Sequence, residues 1–284
     1  MPEASDPGRV LRGGEFYSPV QSRLFTEEVL ISELCQPGSR SVPRHEHELP
    51  YVTVVLQGDY LEGDRGRIDE LRPFTAVFNP AGIAHSTIIG PGGASLFTIE
   101  FRREALAKLG VCLPQHTTFD RGAGTMLWSG LRLYSAFKTK PADPLIVEPF
   151  ALELMGVITG CERPVENSPR WFGRVKERLH EQFRDTLRMS DLAREAGVHP
   201  VHLARVFRQK EKSTPGEYQQ RLKVQAACRL LRDPEWPLAA VAAECGFADQ
   251  SHFTRVFGRI AGTTPLRFRR AIAPWAEPGR GKWS

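Results

Sequence analysis

Residues 189–218 and 238–268 are two copies of one pattern, and this duplication limits what the last third of the chain can become. "MSDLAREAGVHPVHLARVFRQKEKSTPGEY" runs beside "LAAVAAECGFADQSHFTRVFGRIAGTTPLRF". Ala193 falls on Ala242 and Gly197 on Gly246. After one extra residue in the second copy, Arg205 falls on Arg255, Phe207 on Phe257, Thr214 on Thr264, Pro215 on Pro265 and Tyr218 on Phe268. Each copy reads as a helix, a tight turn at glycine and a second helix, which is the helix-turn-helix arrangement. Glycine suits the turn because it tolerates positive φ, and the small alanines let the paired helices approach. Leu203, Val206 and Phe207 form the expected buried face of one second helix; Phe253, Val256 and Phe257 form that of the other.

The opposite faces carry the chemistry. The first copy presents Val201, Ala204, Arg205 and Arg208, the second Gln250, Ser251, Thr254 and Arg255. Arginine can pair bidentately with guanine and glutamine with adenine; serine and threonine bond either, while valine and alanine suit the thymine methyl. Charge agrees: residues 168–284 hold 22 Lys+Arg against 12 Asp+Glu, whereas residues 1–167 hold 16 against 21. A basic back half joined to an acidic front half points to a polyanionic partner for the back alone. The expected partner is double-stranded promoter DNA. A helical protein-binding domain with merely solvated arginines is the bland alternative.

The front hundred residues read differently. "EVLISELC", "YVTVVLQGDYLEG", "FTAVFNPAG", "HSTIIG" and "SLFTIEFR" are short β-rich runs broken by Gly, Pro or Asn, as in a sandwich or barrel. "VPRHEHELP" places His45 and His47 two apart, so that both point to one face of an extended chain. From residue 103 the texture turns helical. Leu127, Leu131, Tyr134 and Phe137 make one amphipathic stripe, and Phe150, Leu154, Met155 and Ile158 make another. These stripes serve a homodimer interface, or else pack on their own barrel. The fold class expected is α+β in two domains. Residues 1–15 are a flexible arm, 16–102 a barrel and 103–160 a helical dimerisation or packing segment. Residues 161–170 are a linker, 171–272 the tandem helix-turn-helix domain and 273–284 a flexible tail. No apolar run approaches the ~20 residues of a membrane helix, and the polar start has no signal core, so no membrane partner and a cytoplasmic location are expected. The five scattered cysteines fit reduced thiols.

"GFADQSHFTRVFGRIAGTTPLRFR" (246–269) resembles the signature of the AraC/XylS family of bacterial transcription regulators. The resemblance is close over about 168–272 and looser in front. It places Val201, Ala204 and Arg205, and then Gln250, Ser251 and Arg255, at the family's base-reading positions. It also implies a long helix joining the two motifs, from "YQQRLKVQAACRLL" toward "EWPLAAV". The front half resembles the cupin-type barrel with which such regulators sense small molecules. His45, His47 and Gly58 match the first cupin motif; Pro80, Gly82 and His85 match the second. Tyr51 stands where the metal-binding Glu would be, Phe74 replaces the second motif's opening Gly, and Ile89 replaces its terminal Asn.

His45, His47, Tyr51 and His85 are therefore the candidate effector-binding residues. Three imidazoles also suffice to hold a divalent metal at His45, His47 and His85, although this set lacks a carboxylate. A purely structural role is the third reading. The favoured function is a non-enzymatic transcription regulator under the control of an unknown small-molecule effector, with no cofactor required and RNA polymerase as a further partner. The alternative is a metal-dependent cupin enzyme or metal sensor fused to a DNA-binding domain; a constitutive DNA binder whose barrel only dimerises is a third. His116, His180, His199, His202 and His252 lack partner spacing and are assigned no role.

Overall fold

The computed structural model describes residues 8–64, 67–139, 142–160 and 169–272. Its front half is one nine-stranded sheet: β1 (Arg9–Leu11), β2 (Val20–Phe25), β3 (Val29–Gln36), β4 (Arg40–His47), β5 (Tyr51–Asp64), β6 (Arg67–Leu71), β7 (Ala76–Asn79), β8 (His85–Phe101) and β9 (Thr118–Asp120). The long strands β5 and β8 pair antiparallel from Tyr51↔Glu100 to Gly63↔Ser86, with register shifts on either side of Gly58. There the chain needs glycine: Gly58 has φ +81, and a Cβ on it would lie 1.8 Å from the Gly93 carbonyl oxygen. This bend lets one face of the sheet enclose Leu34, Val55, Tyr60, Leu71 and Leu96. The other face turns Val52, Val54 and Leu56 toward helices. Both faces are covered, which is why "YVTVVL" is nearly continuous in apolar residues instead of alternating.

Among the described residues, ten helices accompany the sheet. α1 (Arg103–Leu109) leaves the sheet, and α2 (Thr125–Phe137) and α3 (Pro144–Thr159) pack on each other. Buried Asp120 starts α2 by accepting from the amides of Gly124 and Leu127, both at 2.9 Å. The DNA-domain candidates follow: α4 (Arg170–Glu181), α5 (Met189–Ala196), α6 (Pro200–Glu211), α7 (Pro215–Leu230), α8 (Leu238–Glu244), α9 (Gln250–Ala261) and α10 (Pro265–Ala271). Gly197 (φ +68) and Gly246 (φ +73) sit at the two turns, as the repeat requires. A Cβ at Gly246 would collide with the Arg184 carbonyl. Thr214 and Thr264 cap α7 and α10 at equivalent places in the two copies. Among the described residues, no helix is long and apolar enough to cross a membrane, and none of the four described cysteines is in a disulfide.

Several expectations need correction. Residues 9–15 are not a loose arm: β1 pairs parallel with β4, Arg9↔His45 to Leu11↔His47, and the Gly14 amide bonds Glu100 at 2.9 Å. That pairing uses backbone groups of an edge strand, which leave no hydrophobic pattern to read. β9 joins the sheet from within the stretch read as helical. The joining helix ends at Leu230, and "EWPLAAV" starts a separate helix behind Pro237. The apolar stripes of α2 and α3 face inward: Leu127, Leu131, Leu154 and Ile158 are fully buried in their own chain, which removes the surface that argued for dimerisation. The expected linker at 161–168, Cys161 and the tail at 273–284 lie outside the described residues.

The least expected feature is how the core divides. One continuous cluster runs from the sheet through α2 and α3 into the second helix-turn-helix, including Phe253, Val256, Phe257, Ile260 and Phe268. The first helix-turn-helix has its own core of Phe172, Leu192, Leu203, Phe207, Tyr218 and Leu222. Phe74 is central to the shared cluster. Fully buried, it lies with its ring centroid 5.9 Å from that of Phe268 on α10, and its carbonyl accepts from Gln225 of α7 at 2.8 Å. It does so at φ +63, a conformation costly for a bulky residue. Packing energy thus holds a strained backbone where the resembling motif would use glycine. Phe74→Ala should lose about 3–5 kcal/mol in urea unfolding. Phe74→Gly should recover about 1 kcal/mol relative to alanine, because the strain goes with the Cβ.

Candidate functional site

Two groups of side chains were expected to act, and the structure assembles each. On α6, Val201, Arg205 and Arg208 are exposed and Ala204 half-buried; on α9, Gln250, Ser251 and Arg255 are exposed and Thr254 half-buried. Leu203, Phe207, Phe253 and Phe257 take the buried sides as expected. Asp249 caps α9 by accepting from the His252 amide at 2.6 Å. His199 caps α6 through Nδ1, accepting from the Val201 amide at 3.3 Å. His202 was assigned no role, yet its Nδ1 accepts from the Arg205 guanidinium at 3.3 Å, and its ring lies 5.9 Å from that of Trp171. Arg205 is therefore pre-positioned by a neighbour three residues back, one helical turn away.

The second group lies inside the sheet. β4 brings His45 and His47 to one face, and β8 brings His85 directly opposite His45. Potential ligand nitrogens of all three lie within 4.8 Å of one another, and all three residues are buried. His45 Nδ1 donates to the Pro43 carbonyl at 2.8 Å, which leaves its Nε2 unprotonated and 3.2 Å from His47 Nε2. Asn79 donates to the Tyr51 hydroxyl at 3.0 Å and to Glu62 at 2.8 Å, so Tyr51 can give its own proton to His85 Nε2 at 3.2 Å. Thr117 holds the Asn79 carbonyl oxygen from the other side at 2.8 Å. Asn79, Glu62 and Thr117 were invisible from the sequence, because no motif spacing links them to the histidines.

Burial dominates the electrostatics. It lowers His45 to about 4, with the charges of His85 and Arg9 adding to the effect and the Pro43 bond opposing it. It lowers His47 to about 2, helped by His85 and His45. Both imidazoles are thus neutral near pH 7, with lone pairs available to a Lewis acid. Tyr51 is pushed well above its ordinary value by burial and by Glu62, so it stays a phenol and not a phenolate. The cavity between them measures about 40 Å³ and is bounded on the N-terminal side by Phe16, Tyr17 and Ser18. The Tyr17 ring stands edge-on to His45, centroids 5.1 Å apart. Organic-ligand pockets are roughly 300–1,000 Å³; this space suits an ion with a few waters.

The donor set therefore fits a divalent metal in three respects. There are three convergent buried imidazoles, of which burial keeps His45 and His47 neutral; His45 and His85 are each fixed through Nδ1 by a backbone carbonyl; and the cavity is of ionic size. It departs from the cupin pattern in having no carboxylate ligand: Glu62 is buried but stands behind Asn79. His47 Nδ1 has no partner among the described residues.

Comparison with known proteins places the chain. The family of the helix-turn-helix domain matches residues 192–271. The probable transcription factor PqrA of Proteus vulgaris is 30% identical over 88 residues, 31% of this chain and 72% of that protein. This chain belongs to the AraC/XylS family. The HTH-type transcriptional regulator Rv1931c of Mycobacterium tuberculosis is 36% identical over 86 residues, 30% of this chain and 33% of that protein. An uncharacterized HTH-type transcriptional regulator of Escherichia coli, YpdC, is 24% identical over 273 residues, 88% of this chain and 93% of its own. The chain thus spans only a third of the length of Rv1931c.

Behind Tyr51, Glu100 offers a pH test. It is buried, pairs with Tyr51 across the sheet, and accepts the Gly14 amide at 2.9 Å with one oxygen while the other has no described partner. Burial raises its carboxyl from 4.5 to about 7, against the Gly14 bond and the charge of Arg23. The folded chain therefore takes up a proton as pH falls from 7 toward 4.5, and Glu100 destabilises it above that window. Glu100→Gln should be more stable than wild type at pH 8, by up to about 3 kcal/mol. The advantage should shrink to nothing below pH 4.5, as read from melting curves of both proteins across pH 4–8.

Proposed function

We propose that this AraC/XylS-family chain is a non-enzymatic transcription regulator that binds promoter DNA through both helix-turn-helix units and is controlled through its sheet domain. The observation that carries this reading is the paired exposure of Val201, Arg205 and Arg208 on α6 and of Gln250, Ser251 and Arg255 on α9. Both sets lie on second helices of motifs joined by the single helix α7. Two such helices enter successive major-groove faces, and the basic surroundings attach to phosphates. RNA polymerase is a further partner within the same proposal. The first helix is poor in hydrogen-bonding groups, so Arg205 dominates its readout.

The control site we propose at His45, His47 and His85 is a metal centre, with Tyr51 beside it as a hydrogen-bonding phenol. A bound divalent ion would supply a Lewis-acid centre for an oxygen or nitrogen donor. The chain's own contribution is to keep His45 and His47 neutral and to exclude bulk water beneath Tyr17. The 40 Å³ cavity favours this over an organic effector lodged among the histidines.

Selection of binding sites from random duplexes by the full chain should yield one sequence, bound at least 10³-fold more weakly at 200 mM than at 50 mM salt. Arg205→Ala and Arg255→Ala should each cost about 1–3 kcal/mol on that sequence, with relaxed choice at one position. Recovery of no preferred sequence would overturn the reading. Elemental analysis of untagged protein should find about one divalent ion per chain, lost in the His45→Ala/His47→Ala variant. Equal, sub-stoichiometric metal in both would return the centre to an organic or structural role.

A further inference from the structure

A second cavity, about 390 Å³, lies outside the histidine cluster, at the seam between the sheet and the end of the DNA-binding half. It is some ten times larger than the histidine cavity and within the size range of organic-ligand sites. Arg23 of β2, Glu33 of β3 and Gln57 of β5 line it from the sheet, Tyr134, Phe137 and Lys138 from the end of α2, and Ala271 and Ile272 from the end of α10. We propose that this seam cavity binds a small organic anion with an apolar body, and that its occupancy fastens the second helix-turn-helix to the sheet.

The ligand class follows from the walls. Tyr134, Phe137, Leu56 and Ile272 offer apolar surface to the body of a ligand. Of the charged residues lining the cavity, Arg23 and Lys138 are cations and Glu33 is the one carboxylate. Glu33 is already taken up: Lys138 Nζ donates to both its oxygens at 3.1 and 2.9 Å, and Ser22 donates at 2.9 Å. The Tyr134 proton is shared between Glu33, at 3.0 Å, and the Ala271 carbonyl, at 2.9 Å. Arg23 by contrast donates to a neutral group, the Gly14 carbonyl, at 2.8 Å. The lining is therefore net positive. Lys138 and Glu33 neutralise each other, so an anionic group belongs at Arg23, away from the carbonyls ending α10 that repel it.

The coupling follows from who caps α10. Gln57 of the sheet donates to the Ile272 carbonyl at 2.6 Å, and Tyr134 serves Ala271. These two residues also line the cavity. A ligand touching them finds its complete site only while α10 is docked, and by linkage it stabilises the docked arrangement. The proposal rests on the DNA-binding reading for its consequence alone; the site itself needs neither DNA nor metal.

The test uses the full chain and 8-anilinonaphthalene-1-sulfonate, an aromatic anion small enough for the cavity. Wild type should show one saturable, blue-shifted site. Ser95→Trp and Thr139→Trp, which fill the cavity from opposite walls, should each abolish it, and Arg23→Gln should weaken it about tenfold. Two filling variants are used so that a failure of one to fold still leaves a result. Bound probe should also slow amide exchange across residues 262–272. Absence of the site in wild type, or unchanged affinity in a folded filling variant, overturns the binding proposal. Binding without slower exchange overturns the coupling. Because the probe needs no DNA, these results stand apart from any failure to select a DNA sequence.

Discussion

The docking of α7 and α10 on the sheet is the contact on which the arrangement of the chain depends. Gln225 of α7 bonds the carbonyls of Phe74, at 2.8 Å, and Arg121, at 3.1 Å, while Arg221 reaches the Ala123 carbonyl at 3.1 Å. Gly122 permits that approach, because a Cβ there would overlap the Gln225 amide. Phe74 and Phe268 close the same seam with apolar surface. Carbonyls of the loops that flank the sheet are thus satisfied by side chains of the DNA-binding half, and separating the two would exchange these bonds for bonds to water and expose the apolar seam. The strained φ of Phe74 is tolerable only because this packing over-determines it.

That seam also explains which parts were legible in the sequence. The tandem motif was, because each copy carries its own turn glycine, its own capping threonine and its own apolar stripe, and such signals are local. The meeting of His45, His47 and His85 was half legible: period two put the first pair together, while the cupin resemblance was needed to bring His85 opposite. The stripes of α2 and α3 were seen, but their destination was not, since an apolar stripe has the same periodicity whether it meets its own barrel or another chain. β1 escaped notice because a three-residue strand paired through its backbone has no side-chain period. The seam is carried by Gln225, Arg221, Gln57 and Tyr134, which are scattered in sequence and bond main-chain carbonyls, so no residue pattern announces them.

The two cavities divide roles that a reading of the histidines alone would merge. The histidine cavity is small, lined by buried imidazoles, and closed by Tyr17 and Phe16. The seam cavity is large, net positive and walled by both halves of the chain. A metal in the first can stabilise the sheet without knowing where the DNA-binding half lies, because none of its lining residues belongs to that half. An occupant of the second cannot avoid that knowledge. If DNA binding is controlled as proposed, the seam is its direct geometric handle, and the histidine cluster reaches the same place only through the sheet.

A contiguous route for that reach is present. His85 contacts Tyr51, Tyr51 contacts Asn79, and Asn79 is held by Thr117, which leads through β9 to Asp120 and the 121–124 loop. On that loop the carbonyls of Arg121 and Ala123 receive Gln225 and Arg221 near the middle of α7. α7 has 16 residues, about 24 Å, and no proline within it beyond its first position. It carries Tyr218 and Leu222 into the core of the first motif and Val224, Ala227 and Cys228 into that of the second. Both recognition helices are thus mounted on one stiff element that the sheet grips at its midpoint. Under the proposed control, a signal that reaches the middle of α7 meets both motifs through one helix.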